Sequence, residues 1–286
     1  MLPLQPHAAA DNGVADMHDD FKARSLAVWS TGDYSPTSRQ LEPASVALVE
    51  TLGIGATPGM LVLDVAAGHG NCAVAAARAG ASVIATDFSP QMVATGSART
   101  EREGLPVVWQ EAEAAALPFD AESFDRVTSV FGAIFAPEQE AVAAELVRVI
   151  RRGGLVGMTA WTPDGLTAQV IQAGREFSPA PPPDAPAPPN PFRWGEEAEV
   201  HGLFEPLGCE VLATRRTHTF RYSSWEQWRE ASEAHGLSVI ARQQMSPGDY
   251  ERMLQAMHRL SAEHNYGDGG AVVFDADYLE IVVRKP

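Results

Sequence analysis

The apolar residues of the chain follow two alternating rhythms, short unbroken runs and longer stretches with helical spacing. Leu61, Val62 and Leu63 form a run with no polar face, which suits a central strand of a parallel sheet covered on both sides and ending near Asp64. Further strands are predicted at Ala81–Asp87, Pro106–Gln110, Arg126–Val130, Leu155–Trp161 and Cys209–Phe220, with a final one at Ala271–Arg284. Helical patterns cover Met17–Trp29, Pro43–Leu52, Cys72–Ala79, Glu138–Ile150, Trp194–Phe204, Trp225–His235 and Tyr250–His264. Another opens at Phe88-Ser-Pro-Gln-Met92, with Ser89 as N-cap and Pro90 in the first turn. Arg151-Arg-Gly153-Gly154 reads as the close of the 138–150 helix, with cations and a left-handed turn. Strand and helix in alternation predict an α/β fold.

Candidate chemistry begins where the first strand ends. Gly68 and Gly70 bracket one residue and a helix follows at once, so backbone can approach a ligand closely and the helix start offers free N–H groups. That is a nucleotide cradle. Gly68-His-Gly70-Asn-Cys-Ala73 also fits the dinucleotide fingerprint G-x-G-x-x-A. Asp64 discriminates, because a carboxylate there welcomes a cationic ligand and repels a pyrophosphate. Asp87, at the second strand's end, can accept both hydroxyls of a ribose and serves either cofactor.

Val-Leu-Asp64-Val-Ala-Ala-Gly68-His-Gly70 resembles the first motif, D-x-x-x-G-x-G, of the class I S-adenosylmethionine (SAM) dependent methyltransferases. Trp29-Ser-Thr-Gly-Asp-Tyr34 is similar to the family's W-x-x-G-D-Y segment, which places Tyr34 over the cofactor. Asp87-Phe88-Ser-Pro-Gln-Met92 resembles D-x-S-P-x-M, whose apolar residues pack on adenine. Glu113-Ala114 and the Leu117-Pro-Phe119-Asp-Ala-Glu-Ser-Phe-Asp125 run that follows resemble D-A-x-x-L-P-F-x-D-x-S-F-D, with Glu113 in place of aspartate as acceptor for the adenine amino group. Glu145-Leu-Val-Arg148-Val-Ile-Arg-Arg-Gly-Gly is similar to E-L-x-R-V-x-x-P-G-G. These matches span Trp29 to about Trp161. The resemblance implies a Rossmann-like sheet of seven strands with the last antiparallel, and a helical acceptor cover at 222–266 inserted before it. It also implies a cofactor site of Tyr34, Asp64, Ala66, Gly68, Gly70, Asp87, Phe88, Met92, Glu113, Ala114 and Val130, the last at a strand exit facing the methyl group.

Under that resemblance the cofactor is SAM, the product S-adenosylhomocysteine, and the acceptor expected is a small molecule with an O, N or C nucleophile, a specialised metabolite. A base is needed only if the acceptor must lose a proton. His264, at the end of the cover, leads the candidates by position, ahead of His218 and His235. Trp225, Trp228, Met245, Met253 and Met257 are candidates to line the cover, although helical spacing also suits plain packing. A peptide or protein carboxylate methyltransferase and a non-methylating SAM-binding pericyclase share every cofactor motif. An NAD-dependent oxidoreductase accounts for the glycines and Asp87 but not for Asp64 or the Leu-Pro-Phe segment.

Composition narrows the partners. The formal net charge is −16, which repels nucleic acid and anionic membrane surfaces. No apolar run approaches the ~20 residues of a membrane span, and the N-terminus lacks signal-peptide character, so a cytoplasmic location is expected. Lys22 and Lys285 are the two lysines, both near chain ends. Cys72 and Cys209 suit small buried side chains. No His-x-x-x-His or Cys-x-x-Cys occurs, and no metal is expected. The division expected is a tail with cover helices at 1–52 and a methyltransferase domain at 53–286. Ser178 to Pro191 holds eight of the 21 prolines and reads as a stiff connector.

Overall fold

The computed structural model describes residues 22–177 and 189–286, so most of the proline-rich connector and the start of the Met17–Trp29 helix lie outside the described residues. Strands β1 (Leu61–Val65), β2 (Ser82–Asp87), β3 (Val107–Glu111), β4 (Phe124–Val130), β5 (Ile150–Trp161), β6 (Glu210–Tyr222) and β7 (Val272–Arg284) form one seven-stranded sheet in the order β3-β2-β1-β4-β5-β7-β6. β1 to β5 run parallel, and β7 is antiparallel to both β5 and β6. This is the sheet expected of the class I methyltransferase fold. Val62 and Leu63 are both 0 % exposed although they point to opposite faces, which is the double cover that the unbroken apolar run requires.

The helices are α1 (residues 22–29), α2 (Ser35–Thr51), α3 (Asn71–Arg78), α4 (Pro90–Arg102), α5 (Gln139–Val149), α6 (Leu166–Arg175), α7 (Glu197–Phe204), α8 (Trp225–Ala234), α9 (Gly236–Gln244) and α10 (Pro247–Glu263). Leu48 and Val49 of α2, with Leu52 just after it, pack with Ala73 and Ala76 of α3 on Val62, Val83 and Ala85. Val142 and Leu146 of α5 and Phe204 of α7 pack with Leu63, Val127, Met158 and Ile281. The Glu145–Arg148 pair ties two motifs together. Glu145 Oε2 accepts the Leu117 N–H at 2.7 Å, and Arg148 donates to the carbonyls of Leu117 and Phe119 at 2.9 and 2.7 Å. The Leu-Pro-Phe loop is thereby pinned to α5.

Four expectations need correction. α2 starts at Ser35 rather than at Pro43. Pro36 suits its first turn, and Pro43 sits inside, removing one backbone donor while Ala44, Ser45, Leu48 and Val49 continue the buried stripe. Arg151 to Gly154 do not cap α5. Ile150 is already extended and opens β5, where Gly153 (φ +71°) donates its N–H to the Lys285 carbonyl at 2.8 Å beside a register shift. α6 was not anticipated, and the cover between β6 and β7 contains three helices rather than two. α6 and α9 are short, and the small cluster of Tyr250, Met253 and Leu254 with Phe177, Met245 and Met257 stabilises this region only through tertiary packing.

The cover hooks onto the N-terminal segment at the α8–α9 joint. Asp33 N–H donates to the Ala234 carbonyl at 2.9 Å. A Cβ on Gly236 would lie 2.1 Å from Tyr34 Oη, 2.2 Å from the Val28 carbonyl oxygen and 2.6 Å from that of Thr31. Gly236→Ala is therefore expected to cost about 1–3 kcal/mol through overpacking against backbone. The measurement is the urea midpoint, and an unmoved midpoint would mean that the joint gives way freely.

Candidate active site

Strand order reverses between β1 and β4, and their carboxyl ends form the crevice where open α/β sheets bind ligands. Two loops meet there. Ala66 (φ +52°) and Phe131 (φ +53°) are non-glycine residues in the left-handed region, one after each strand. Between them, a Cβ on Gly132 would lie 2.3 Å from the Ala66 carbonyl oxygen, so only glycine permits this approach. Gly70 (φ +76°) turns the chain into α3, and its missing Cβ makes room for the Trp109 indole. Gly68 (φ +54°) differs: a Cβ there meets nothing within 4 Å. Its open side is the cradle.

Two carboxylates support that loop from below. Asp64 is 1 % exposed; Oδ2 accepts the Ala73 N–H at 2.9 Å and Oδ1 the Thr128 hydroxyl at 2.9 Å. Asp87 is 5 % exposed; Oδ2 accepts the Gly68 N–H at 2.9 Å and Oδ1 the Ser89 N–H at 3.0 Å. Burial is the leading cause that raises Asp64 to about 7, with nearby Asp87 adding to it, and burial likewise raises Asp87 to about 6. The pair is a site short of positive charge.

Next to it, the Ser89 hydroxyl accepts the Met92 N–H at 3.4 Å as the anticipated N-cap, and it meets the Ser30 hydroxyl of the N-terminal segment at 3.0 Å. Met92 and Ala114 are buried, while Phe88 and Val130 are half-buried. Glu113 pairs with Lys22 of α1 at 2.7 Å. The first helix thus reaches across to the position expected to meet adenine, a contact that separation along the chain concealed.

The N-terminal turn forms a lid. Tyr34 is buried, donates to the Val28 carbonyl at 2.8 Å, and has its ring 4.8 Å from His235 and 6.5 Å from His69 of the glycine loop. Trp29 lies 4.9 Å from Phe135, just beyond the β4 exit.

The histidines separate by place. His264 is exposed at the C-terminal end of α10, where Nδ1 meets the Leu260 carbonyl at 2.9 Å, and no contact with a crevice residue supports its expected role as base. His235 packs on Tyr34, and burial lowers it to about 4. Its Nδ1 accepts the Leu237 N–H at 3.3 Å, which puts the proton of the neutral ring on Nε2 and makes that atom a donor. His218 lies on β6, 6 % exposed. Trp225 and Trp228 pack on His258, at 4.2 and 5.6 Å, as helix-to-helix contacts. Cys72 and Cys209 are free and buried. Among the described residues no three His, Cys, Asp or Glu gather to hold a metal, and no helix is long and apolar enough to cross a membrane.

Residues 62–154 match the family described as methyltransferase domain. An uncharacterised protein of Mycobacterium tuberculosis, Rv1405c, is 43 % identical over 191 residues, covering 66 % of this chain and 68 % of that protein. The demethylmenaquinone methyltransferase of Renibacterium salmoninarum is 43 % identical over 101 residues, 35 % of this chain and 41 % of that one. The crystal structure of the YcgJ protein of Bacillus subtilis superposes with a TM-score of 0.60 at 16 % identity, covering 85 % of this chain and 99 % of that chain, a likeness of fold. With the sheet order, the glycine crevice between β1 and β4 and the matched domain in agreement, the chain belongs to the class I SAM-dependent methyltransferases and is an enzyme of that class.

Proposed function

We propose that the enzyme transfers the methyl group of SAM to a small-molecule acceptor. The observation that carries this reading is the open side of Gly68 above two buried, mutually repelling carboxylates. A cationic donor with vicinal hydroxyls supplies the charge and the hydrogen-bond donors which that arrangement lacks. Asp87 would accept from the ribose, Gly68 and Gly70 would let the backbone approach the donor, Phe88, Met92 and Ala114 would enclose the adenine, and Glu113 would accept from its amino group after parting from Lys22. Asp64, 1 % exposed beneath the loop, would act through the field it sets up.

When bound, SAM supplies an electrophilic methyl group on a sulfonium. What the chain contributes is orientation and dryness. Trp29, Tyr34 and Phe135 close the space over the crevice, and a nucleophile held there in line loses its water on the way in. An open cleft of about 530 Å³ lies between α2 and α8, lined by Asp33, Arg39, Tyr222 and Glu230 among others.

Thermal melting tests the reading. S-Adenosylhomocysteine at about 100 times its dissociation constant should stabilise the protein by about 2.7 kcal/mol, while NAD and NADP leave the melting temperature unchanged. Stabilisation by a nicotinamide cofactor alone would overturn it.

A further inference from the structure

On the β6–β7 ribbon, alternate residues share one face, and the pairings Phe220 with Phe274, Tyr222 with Val272 and His218 with Ala276 set an aromatic row along it. The row starts at the crevice. Phe131, directly after Val130, stacks on Trp161 with centroids 4.0 Å apart and planes 8° apart. Trp161 lies 6.0 Å from Phe220, Phe220 5.5 Å from Phe274, and Phe274 6.1 Å from Tyr222. Tyr222 also lines the open cleft between α2 and α8. Rings therefore follow one another from solvent to the exit of β4.

His218 is out of keeping with these rings. His218 sits edge-on to Phe220 at 4.6 Å, and its buried Nε2 has no hydrogen-bond partner. An unpaired polar atom in such a place carries a desolvation cost that a phenylalanine or leucine would not incur. Its pairing partner across the ribbon is Ala276, which offers no side-chain hydrogen-bonding group. The charged groups of the same face, Arg216 and Glu280, pair through Glu280 Oε1 at 3.0 Å, while the buried Oε2 has no partner. A buried carboxylate on this face repels an anionic acceptor.

We infer that this row is the acceptor site and that His218 is its specificity-determining residue, selecting a planar, largely apolar molecule with one hydroxyl or carbonyl group that hydrogen-bonds Nε2. The inference deepens the methyltransferase reading and rests on it. Offset or edge-on ring contacts hold the planar body. A buried polar atom that must be paired rejects analogues lacking the partner group, which is a stronger filter than shape in an apolar pocket.

The test uses 2-naphthol as probe, with naphthalene as its counterpart lacking the hydroxyl, titrated by tryptophan fluorescence into the whole protein saturated with S-adenosylhomocysteine. Wild type should bind 2-naphthol about tenfold more tightly than naphthalene, the loss expected when one buried hydrogen-bond partner is missing. His218→Phe should erase that difference and leave S-adenosylhomocysteine affinity, measured by calorimetry, unchanged. His218→Gln should restore part of the preference. If S-adenosylhomocysteine binds and the two probes bind alike to wild type, the acceptor assignment is overturned while the methyltransferase reading stands, and this comparison needs no variant to fold. If His218→Phe keeps the preference, His218 is not the selecting residue. Failure of S-adenosylhomocysteine to bind wild type removes the reading and the inference together.

Discussion

Replacing Asp87 by Ala is expected to weaken S-adenosylhomocysteine binding by about 1.5–3 kcal/mol, the range for losing hydrogen bonds to a charged group. Two losses combine. The ribose loses its proposed acceptor, and the Gly68 and Ser89 N–H groups lose the oxygens that hold the loop against the start of α4. Asp87→Asn should be no gentler. Both oxygens accept backbone N–H groups, so an amide NH₂ in either position must face a donor that cannot turn away. Calorimetry on folded variants decides the matter: unchanged affinity in Asp87→Ala would remove Asp87 from the cofactor site.

Asp64→Asn should behave in the opposite way towards stability. Here one of the two partners is the Thr128 hydroxyl, which can turn from donor to acceptor and donate instead to the Leu63 carbonyl, 3.4 Å away. The asparagine oxygen keeps the Ala73 N–H. The substitution therefore mimics the protonated carboxyl without leaving an unpaired atom. Folding raises Asp64 from its ordinary 3.8 to about 7, so the folded chain holds a proton there that the unfolded chain has lost. The stabilisation linked to that proton is fully present below about pH 4 and is lost as pH rises through 7. Asparagine does not titrate. Measured without ligand, the variant should gain stability relative to wild type between pH 5 and pH 8, by an amount on the order of a few kcal/mol, since every tenfold change in proton affinity between the folded and unfolded chain is worth about 1.36 kcal/mol. Urea unfolding at the two pH values is the measurement, and a difference independent of pH would show that Asp64 is ionised throughout. The same variant should bind SAM more weakly, because the negative field beneath the loop is gone.

The contrast between these two aspartates shows what kind of information each level holds. That an acidic residue stands at the end of β1 and another at the end of β2 follows from counting along the chain, because a strand five or six residues long fixes where its last side chain lies relative to the turn. Whether the oxygens are free, bound to a turning hydroxyl or held by fixed amides depends on α3, α4 and β4, which arrive from elsewhere. His264 shows the same division: its place at the end of a cover helix was legible, and its exposure was not. Lys22 likewise read as a terminal residue and proves to meet Glu113 across the crevice.

By itself the sequence determined the strands and the glycine cradle through local rules, which are unbroken apolar runs for doubly covered strands, glycine where φ is positive and an N-cap serine before a proline; the family and the order of the sheet followed from the resemblance of its motifs to the class I methyltransferases. Tertiary structure alone decided what stands over the cradle and what faces the acceptor. The Trp29–Tyr34–His235 lid joins residues about 200 positions apart, and the aromatic row draws on β4, β5, β6 and β7 through a register that no local pattern specifies. Alternation marked His218, Phe220 and Tyr222 as one face of a strand. Only the elements packed over it, α2 and α8 among them, made that face an interior one, with an imidazole nitrogen buried and unpartnered inside it.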